Sequence, residues 1–148
     1  MYLLDTNVIS ETRKPRPHGA VLAWISTVPP GSLFLPSIAL GELQRGVALL
    51  RQNDPAKSEE IHLWIDYVSG AFNILSPDGT VFREWAEIMH SRSLHHWQDA
   101  LIAATARVHR LTVVTRNIKD FQDFGVDIFN PFTYGSEVQS GVWGAMEQ

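Results

Sequence analysis

Short apolar runs alternate with amphipathic stretches along this chain of 148 residues. Each apolar run is too short for a helix, and runs of this length and composition are typical of buried strands. The segments between them repeat apolar residues at the spacing of a helix face. Strands that alternate with helices predict an α/β fold with a central parallel sheet flanked by helices on both faces. The five predicted strands lie at 1–4, 33–35, 73–75, 111–115 and 126–129.

Capping and turn residues indicate where several of the predicted helices begin. Ser37 follows the second strand and is a candidate N-cap, and Asp54 followed by Pro55 predicts the start of another helix. The segment 11–17 contains two prolines, so it is predicted to be a non-helical loop, and it carries three cations. These cations either bind phosphate groups or form a solvated basic surface, and the sequence leaves both interpretations open.

Polar side chains follow the ends of the predicted strands. Asp5 ends the first strand, and Glu42 lies near the start of the helix after the second strand. Asp99 opens an alanine-rich helix, and Asn117 and Asp120 follow the clearest of the strands. The carboxyl ends of parallel strands meet at one edge of a sheet, where open α/β folds bind their ligands. We therefore predict that these five residues come together as the catalytic site.

The residues next to this set are also polar. Thr6 and Asn7 follow Asp5 directly, and Thr115 and Arg116 end the strand that precedes Asn117. A carboxylate at a buried strand end needs hydrogen-bond donors or a cation to stay ionised. We expect these four neighbours to support the site or to contact its substrate.

A cluster of carboxylates predicts a metal site. Carboxylates within a few ångströms of each other repel strongly unless cations lie between them. Oxygen ligands favour Mg²⁺, with Mn²⁺ as an alternative, over zinc. The predicted metal ligands are Asp5, Asp99 and Glu42, with Asp120 as a further candidate, and two such ions together can promote hydrolysis of a phosphodiester.

Each acidic residue also has a purely structural interpretation. Asp5 could cap the helix after its strand, and Glu42 could be a favourable charge near a helix start, paired with Arg45. Asp99 could stabilise the start of its helix, and Asp120 could be a surface acid. We do not expect the adjacent pair at 95–96 to bind metal, because neighbouring histidines face different sides of a helix.

Composition and charge restrict the function less than the motifs do. The net charge of −4 lacks the basic excess typical of nucleic-acid-binding proteins. If four of the 16 acidic residues bind metal, however, the other 12 balance the 12 Lys and Arg, so charge does not exclude a nucleic-acid substrate. The absence of cysteine rules out disulfides and thiolate metal sites. We expect a cytoplasmic protein without a membrane span.

The order and spacing of these motifs resemble the PIN domain, specifically the VapC-type ribonuclease toxins and their FitB-like branch. The similarity covers about residues 1–133, which predicts a PIN-like nuclease domain at 1–133 and a C-terminal tail at 134–148 that is flexible or contacts a partner. The motifs are Asp5-Thr6-Asn7 after the first strand, a helical Glu42, Asp99 opening a segment of the form D-x-x-I-A-A-T-A, Thr115-Arg116-Asn117 followed by Asp120-Phe121, and the ending Asn130-Pro131-Phe132.

The resemblance implies a Mg²⁺-dependent endoribonuclease toxin that is usually a homodimer and is neutralised by a VapB-type antitoxin, with a further assembly on operator DNA. Asp5, Glu42 and Asp99 match the acidic ligands of the family. Many relatives carry Asp where this chain has Asn117, which leaves open whether one or two metals bind. We expect Asp120 to supply the missing charge through a water, and Asn117 to orient the attacking water or a phosphate oxygen.

One rival interpretation belongs to another functional class. A PIN-like fold without catalysis could act as a binding module that modulates a DNA-bound antitoxin. The complete set of Asp5, Glu42 and Asp99 favours the nuclease. The sequence leaves open whether the RNA is tRNA, rRNA or mRNA, because recognition of single strands and loops depends on surface shape and stacking.

Overall fold

A five-stranded parallel sheet forms the centre of the protein, as seen in a computed structural model that describes residues 1–136. The strand order is β3-β2-β1-β4-β5, and every neighbouring pair is parallel. All five strands are within the predicted segments except for Pro36, which extends the second strand by one residue. They are β1 at Tyr2–Leu4, β2 at Leu33–Pro36, β3 at Asn73–Leu75, β4 at Thr112–Val114 and β5 at Ile128–Phe129.

Seven α-helices within the described residues connect and flank these strands. Short 3-10 turns occur at Ser10–Arg13, Pro30–Ser32, Leu94–His96 and Pro131–Thr133. The helices are α1 at Thr6–Ile9, α2 at Gly19–Thr27, α3 at Ser37–Leu50, α4 at Pro55–Ala71, α5 at Gly79–Met89, α6 at Trp97–His109 and α7 at Ile118–Phe121.

Successive strand residues point to opposite sides of the sheet, and helices bury both of its faces. In β1, Leu3 packs into a core formed with α5 and α6, whereas Leu4 packs into a core formed with α2, α3 and α4. Val113 and Val114 of β4 divide between the same two cores. The structure therefore confirms the predicted α/β fold with helices on both faces of a parallel sheet.

The position of β1 explains why its end can organise a site. It is the middle strand, and it pairs with β2 on one side and β4 on the other. The hydrogen bonding between β1 and β4 continues one residue beyond β1, where the Asp5 backbone N–H donates to the Val114 carbonyl at 2.9 Å. Asp5 is thereby fixed at the centre of the carboxyl edge of the sheet.

Several local predictions can be compared directly with the structure. Asp54 caps α4 as predicted, accepting a hydrogen bond from the Lys57 N–H at 3.0 Å. The prediction of Ser37 as an N-cap is wrong, because Pro36 occupies the cap position and Ser37 is the first residue of α3. Segment 11–17 is helical at its start, because the Ser10–Arg13 turn closes before Pro15 can interrupt it.

The predicted C-terminal tail at 134–148 lies mostly outside the described residues. Only its first three residues, 134–136, belong to the part of the chain that the structure describes. Within residues 1–136, no helix combines the length and the apolar character needed to cross a membrane.

Candidate functional site at the carboxyl edge of the sheet

Asp5 is the most deeply placed acid of the predicted set, with 7% of its surface exposed. It caps α1, because one carboxylate oxygen accepts the Thr6 backbone N–H at 2.8 Å. The other oxygen accepts the Thr115 hydroxyl at 2.8 Å and the Asn7 side-chain amide at 3.1 Å. Burial raises the pKa of Asp5, and these donors oppose the rise. The capping interpretation is therefore correct, and it is compatible with a place in a functional site.

A second layer of polar groups connects the ends of β1 and β4. Thr115 is fully buried, and its hydroxyl accepts the Asn7 amide at 3.3 Å and the Asn117 backbone N–H at 3.0 Å. The Asn7 side-chain oxygen accepts the Arg116 N–H at 3.1 Å. The residues after β4 are thus held in a fixed relation to Asp5.

Glu42 enters the site from the second turn of α3. Its carboxylate accepts the Thr6 hydroxyl at 2.8 Å, so Thr6 connects Asp5 and Glu42 by its backbone and its side chain. Burial raises the pKa of Glu42, the Thr6 hydrogen bond opposes this, and the Asp5 charge adds to it. No ion pair joins Glu42 to Arg45 within the described part of the chain.

Asp99 lies in the first turn of α6 and is half-buried. Its pKa is raised to about 6, first by burial and then by the charges of Asp5, Asp120 and Glu42, while His96 acts in the opposite direction. Coulombic effects of this kind require proximity. The three acids that reach Asp99 from other elements are all members of the predicted site.

Asp120 and Asn117 differ in how closely they join this group. Asp120 is exposed on α7, yet its charge raises the pKa of both Asp5 and Asp99. Asn117 occupies the N-cap position of α7, but its side chain does not cap that helix. The structure therefore brings the Asp120 charge to the carboxylates and leaves the Asn117 amide available for other contacts.

The carboxylates are not arranged as tightly as a metal-bound cluster. Among residues 1–136, no group of three acidic or histidine side chains has an arrangement that could hold a metal ion. This differs from the predicted separation of a few ångströms, and the physical reason is that like charges separate while local donors satisfy them. Asp5 and Glu42 accept hydrogen bonds from Thr6, and Asp5 also accepts one from Thr115.

The donor chemistry nevertheless fits a hard divalent cation. The acids offer oxygen donors only, and burial together with the charges of neighbouring acids raises the pKa of each of them. A bound cation would favour the ionised forms of all three. The prediction that Asp5, Glu42 and Asp99 bind a metal remains a prediction.

Sequence reasoning missed one buried acid outside the predicted site. Glu11 is 6% exposed, forms an ion pair with Lys14 and accepts the His18 backbone N–H at 3.1 Å. The Lys14 hydrogen bond is the main reason that the pKa of Glu11 is lowered. The spacing of three residues within a helical turn is the signal that could have revealed this pair. Lys14 therefore has a structural partner, which disfavours phosphate binding by this residue.

Comparisons with known proteins agree with this architecture. The PIN domain family model matches residues 2–126. Toxin FitB of Neisseria gonorrhoeae is 37% identical over 139 residues, which cover 89% of this chain and 99% of that protein. VapC ribonuclease Y4jK of Sinorhizobium fredii is 35% identical over 137 residues, covering 89% of this chain and 98% of that protein. The solved structure of FitAB bound to the IR36 DNA fragment has a TM-score of 0.79 and 35% identity, covering 89% of this chain and 96% of that one.

Proposed function

Because the chain belongs to the PIN-domain family, we propose that it is a metal-dependent endoribonuclease toxin that hydrolyses RNA phosphodiester bonds. The observation that carries this proposal is the mutual charge coupling of Asp5, Glu42, Asp99 and Asp120 at one edge of the sheet. Uncompensated carboxylates that raise each other's pKa mark a site built for a cation. The relatives named as a toxin and as a VapC ribonuclease support the same activity.

VapC-type PIN nucleases depend on a metal in general. In this chain Asp5, Glu42 and Asp99 would hold the ion, which we propose to be Mg²⁺ with Mn²⁺ as a substitute, and Asp120 would act through a water. When bound, such an ion polarises the phosphate and lowers the pKa of a coordinated water. The oxygen-only donor set supports this choice.

The neighbouring residues prepare the site before RNA arrives. Thr6 and Thr115 hold the Asp5 carboxylate in one orientation, and Thr6 also positions Glu42. Hydrolysis adds water to phosphorus, breaks the bond from phosphorus to one ribose oxygen and delivers a proton to that leaving oxygen. We propose that the Asn117 amide orients the attacking water or a phosphate oxygen, because its side chain is exposed and does not cap α7.

We propose a cognate VapB-like antitoxin and a second copy of this chain as protein partners. The FitAB structure bound to a DNA fragment supports an assembly of toxin and antitoxin on operator DNA. An antitoxin could neutralise the acids with an inserted Arg or Lys, since such a group supplies the charge that a metal otherwise provides. All of these encounters would take place in the cytoplasm.

Expression of the protein in bacteria tests this function against the silent-module alternative. The parent should arrest growth and fragment RNA, whereas Asp5→Asn, which keeps the shape of the side chain, should do neither. Asp66→Asn serves as the matched control, because Asp66 is an exposed acid on α4. In purified form, parent and Asp66→Asn should cleave RNA when Mg²⁺ is supplied and stop when EDTA removes it. Equal growth and intact RNA with parent and Asp5→Asn would instead indicate a module without catalysis.

A further inference from the structure

The guanidinium of Arg116 is stacked on an aromatic ring, and its backbone adjoins the acidic site. Its central carbon lies 4.6 Å from the centroid of Phe132. The Arg116 backbone is tied to the site, because its N–H donates to the Asn7 side chain at 3.1 Å, and Asn7 in turn donates to Asp5 at 3.1 Å. The Arg116 backbone is thus joined to Asp5 through Asn7, while its guanidinium lies on Phe132.

The ring that supports Arg116 is itself held in place. Phe132 lies in the turn at Pro131–Thr133, and its backbone N–H donates to the Asn130 side chain at 3.0 Å. The His18 ring packs edge-on against Phe132, with centroids 5.1 Å apart. Phe132 also belongs to the partly buried residues that pack against the core beneath α2. It is therefore a fixed support, and it can hold a guanidinium in one orientation.

The stacking on Phe132 covers one face of the Arg116 guanidinium and leaves the N–H donors along the edge of its plane available to a ligand. Within residues 1–136, no carboxylate lies at ion-pair distance from Arg116. Arg92 offers a contrast, since it also stacks on a ring, Phe124 at 4.9 Å, but donates to the Ile88 and Asp123 carbonyls. Arg92 therefore combines stacking with hydrogen bonds to backbone carbonyls, whereas the stacked Arg116 side chain makes no such hydrogen bond within the described residues.

An acidic site accepts an RNA strand more readily when a cation lies next to it. The phosphates of RNA are repelled by the carboxylates around Asp5, and a cationic side chain beside the site reduces this repulsion in addition to the proposed metal ion. Arginine suits the position, because its planar fork stacks on a ring and binds two phosphate oxygens together. We propose that Arg116 binds a backbone phosphate of the RNA next to the scissile bond and that Phe132 is the positioning residue for it, an inference that rests on the proposed function.

Other cations near the start of the chain fit this function less well. Lys14 is paired with Glu11, and Arg13 lies over the Trp64 ring at 5.9 Å, toward α4. Neither is joined to Asp5 by hydrogen bonds as Arg116 is. The hydrogen-bonded connection to Asp5 therefore favours Arg116 over these two residues as a phosphate contact.

Three variants test separately the charge of Arg116, the planar shape of its guanidinium and the support from the Phe132 ring. Arg116→Gln removes the charge, Arg116→Lys keeps the charge without the planar fork, and Phe132→Leu keeps the apolar contact without the ring. Arg51→Gln is the matched control, because Arg51 is exposed at the far end of α3. Thermal melting of each variant verifies that the fold is retained.

Two measurements read the effect with a fluorescein-labelled single-stranded RNA of 12 nucleotides. Cleavage kinetics should show KM raised about tenfold for Arg116→Gln, somewhat less for Arg116→Lys, and about threefold for Phe132→Leu, with kcat within about twofold of the parent in each case. RNA affinity is measured by fluorescence anisotropy in an Asp99→Asn background, which prevents cleavage. Of the three substitutions, only Arg116→Gln should reduce the slope of log affinity against log salt, by about 0.7, which is the loss expected for one phosphate contact on a single strand.

The outcomes distinguish this inference from the function on which it rests. If the parent cleaves RNA in an Asp99-dependent way but all three variants match Arg51→Gln in KM and salt slope, the inference is overturned and the nuclease function stands. If Arg116→Gln weakens only antitoxin binding, Arg116 is a protein contact and the inference is again overturned. A parent that shows no Asp99-dependent cleavage overturns both.

Discussion

Replacing Asp99 by Asn should stabilise the metal-free protein at neutral pH. Asp99 has a pKa of about 6 instead of 3.8, caused by burial and then by Asp5, Asp120 and Glu42. Asn has nearly the same shape and carries no charge, so the variant removes the cost of burying an ionised group beside other carboxylates. A residue selected for stability alone would show the opposite effect, because a first-turn acid normally stabilises a helix.

The magnitude follows from the pKa of Asp99. Ionisation at a pKa of about 6 instead of 3.8 costs the folded state about 3 kcal/mol relative to the unfolded chain. Because Asp99 is only half-buried, solvent screening reduces this to about 1–2 kcal/mol. Loss of the charge at the start of α6 offsets about 0.5 kcal/mol. We expect a net gain of about 1 kcal/mol, or about 3 °C in Tm for a chain of this length.

The pH dependence gives this prediction a definite sign. Between about pH 4 and pH 6 the folded protein retains the Asp99 proton more strongly than the unfolded chain, so this group makes stability fall as pH rises. The cost is absent below about pH 3.8 and complete above about pH 6. Parent and variant should therefore have similar stability at pH 4 and differ most above pH 6.

Urea denaturation in EDTA at pH 4.5 and pH 7.5 measures this difference, with protein concentration held constant because self-association would change apparent stability. Asp66→Asn, on the exposed face of α4, is the control and should show no comparable gain. If Asp99 is a metal ligand, as proposed, added Mn²⁺ should reverse the order at pH 7.5, because it would stabilise the parent more than Asp99→Asn. An Asp99→Asn variant that is less stable than the parent at pH 7.5 without metal would refute the repulsion argument.

Three further predictions concern single residues. Asp120→Asn should lower the pKa of Asp99 in the metal-free protein, because it removes one of the charges that raise it, and a carboxyl NMR titration measures this; an unchanged pKa would separate Asp120 from the site. Asn117→Asp should reduce the Mn²⁺ concentration needed for half-maximal RNA cleavage, whereas overlapping titrations would show that this position does not contact the metal. Glu11→Gln should lower the free energy of unfolding at pH 7 by about 1–2 kcal/mol in urea melts, because the Lys14 pair and its charge are lost; the difference should shrink as pH falls and the parent Glu11 protonates.

Most of the fold could be predicted from local patterns. The strand segments were identifiable because apolar runs buried on both faces cannot be amphipathic, and Leu3 and Leu4 indeed enter opposite cores. The placement of the acids also followed from topology, since parallel strands bring their carboxyl ends to one edge. Asp5, Glu42 and Asp99 are coupled there even though 94 positions separate the first from the last.

The features that were not predicted are of two kinds. Some depend on contacts between side chains that are distant in sequence, and others depend on where a single strand or turn ends. The support of Arg116 by Phe132 joins residues 16 positions apart, and nothing in either segment alone indicates it. Ser37 was expected to cap α3, but β2 runs one residue further and gives that position to Pro36. Glu11 looked like part of a charged loop, because the short turn that buries it precedes the prolines.

The separation of the acids is the feature that relates the fold to the chemistry. Thr6 and Thr115 each donate a hydroxyl proton to a carboxylate, so Asp5 and Glu42 are held by neutral donors and remain ionisable without a cation. No hydrogen-bond donor opposes the rise in the pKa of Asp99, which burial and the neighbouring charges raise to about 6. The neutral donors thus orient two of the proposed metal ligands, while Asp99 has no such donor. If Asp99 is a metal ligand, as proposed, its protonation should compete with metal binding as pH falls below about 6, so the metal affinity of the protein should decrease over that range.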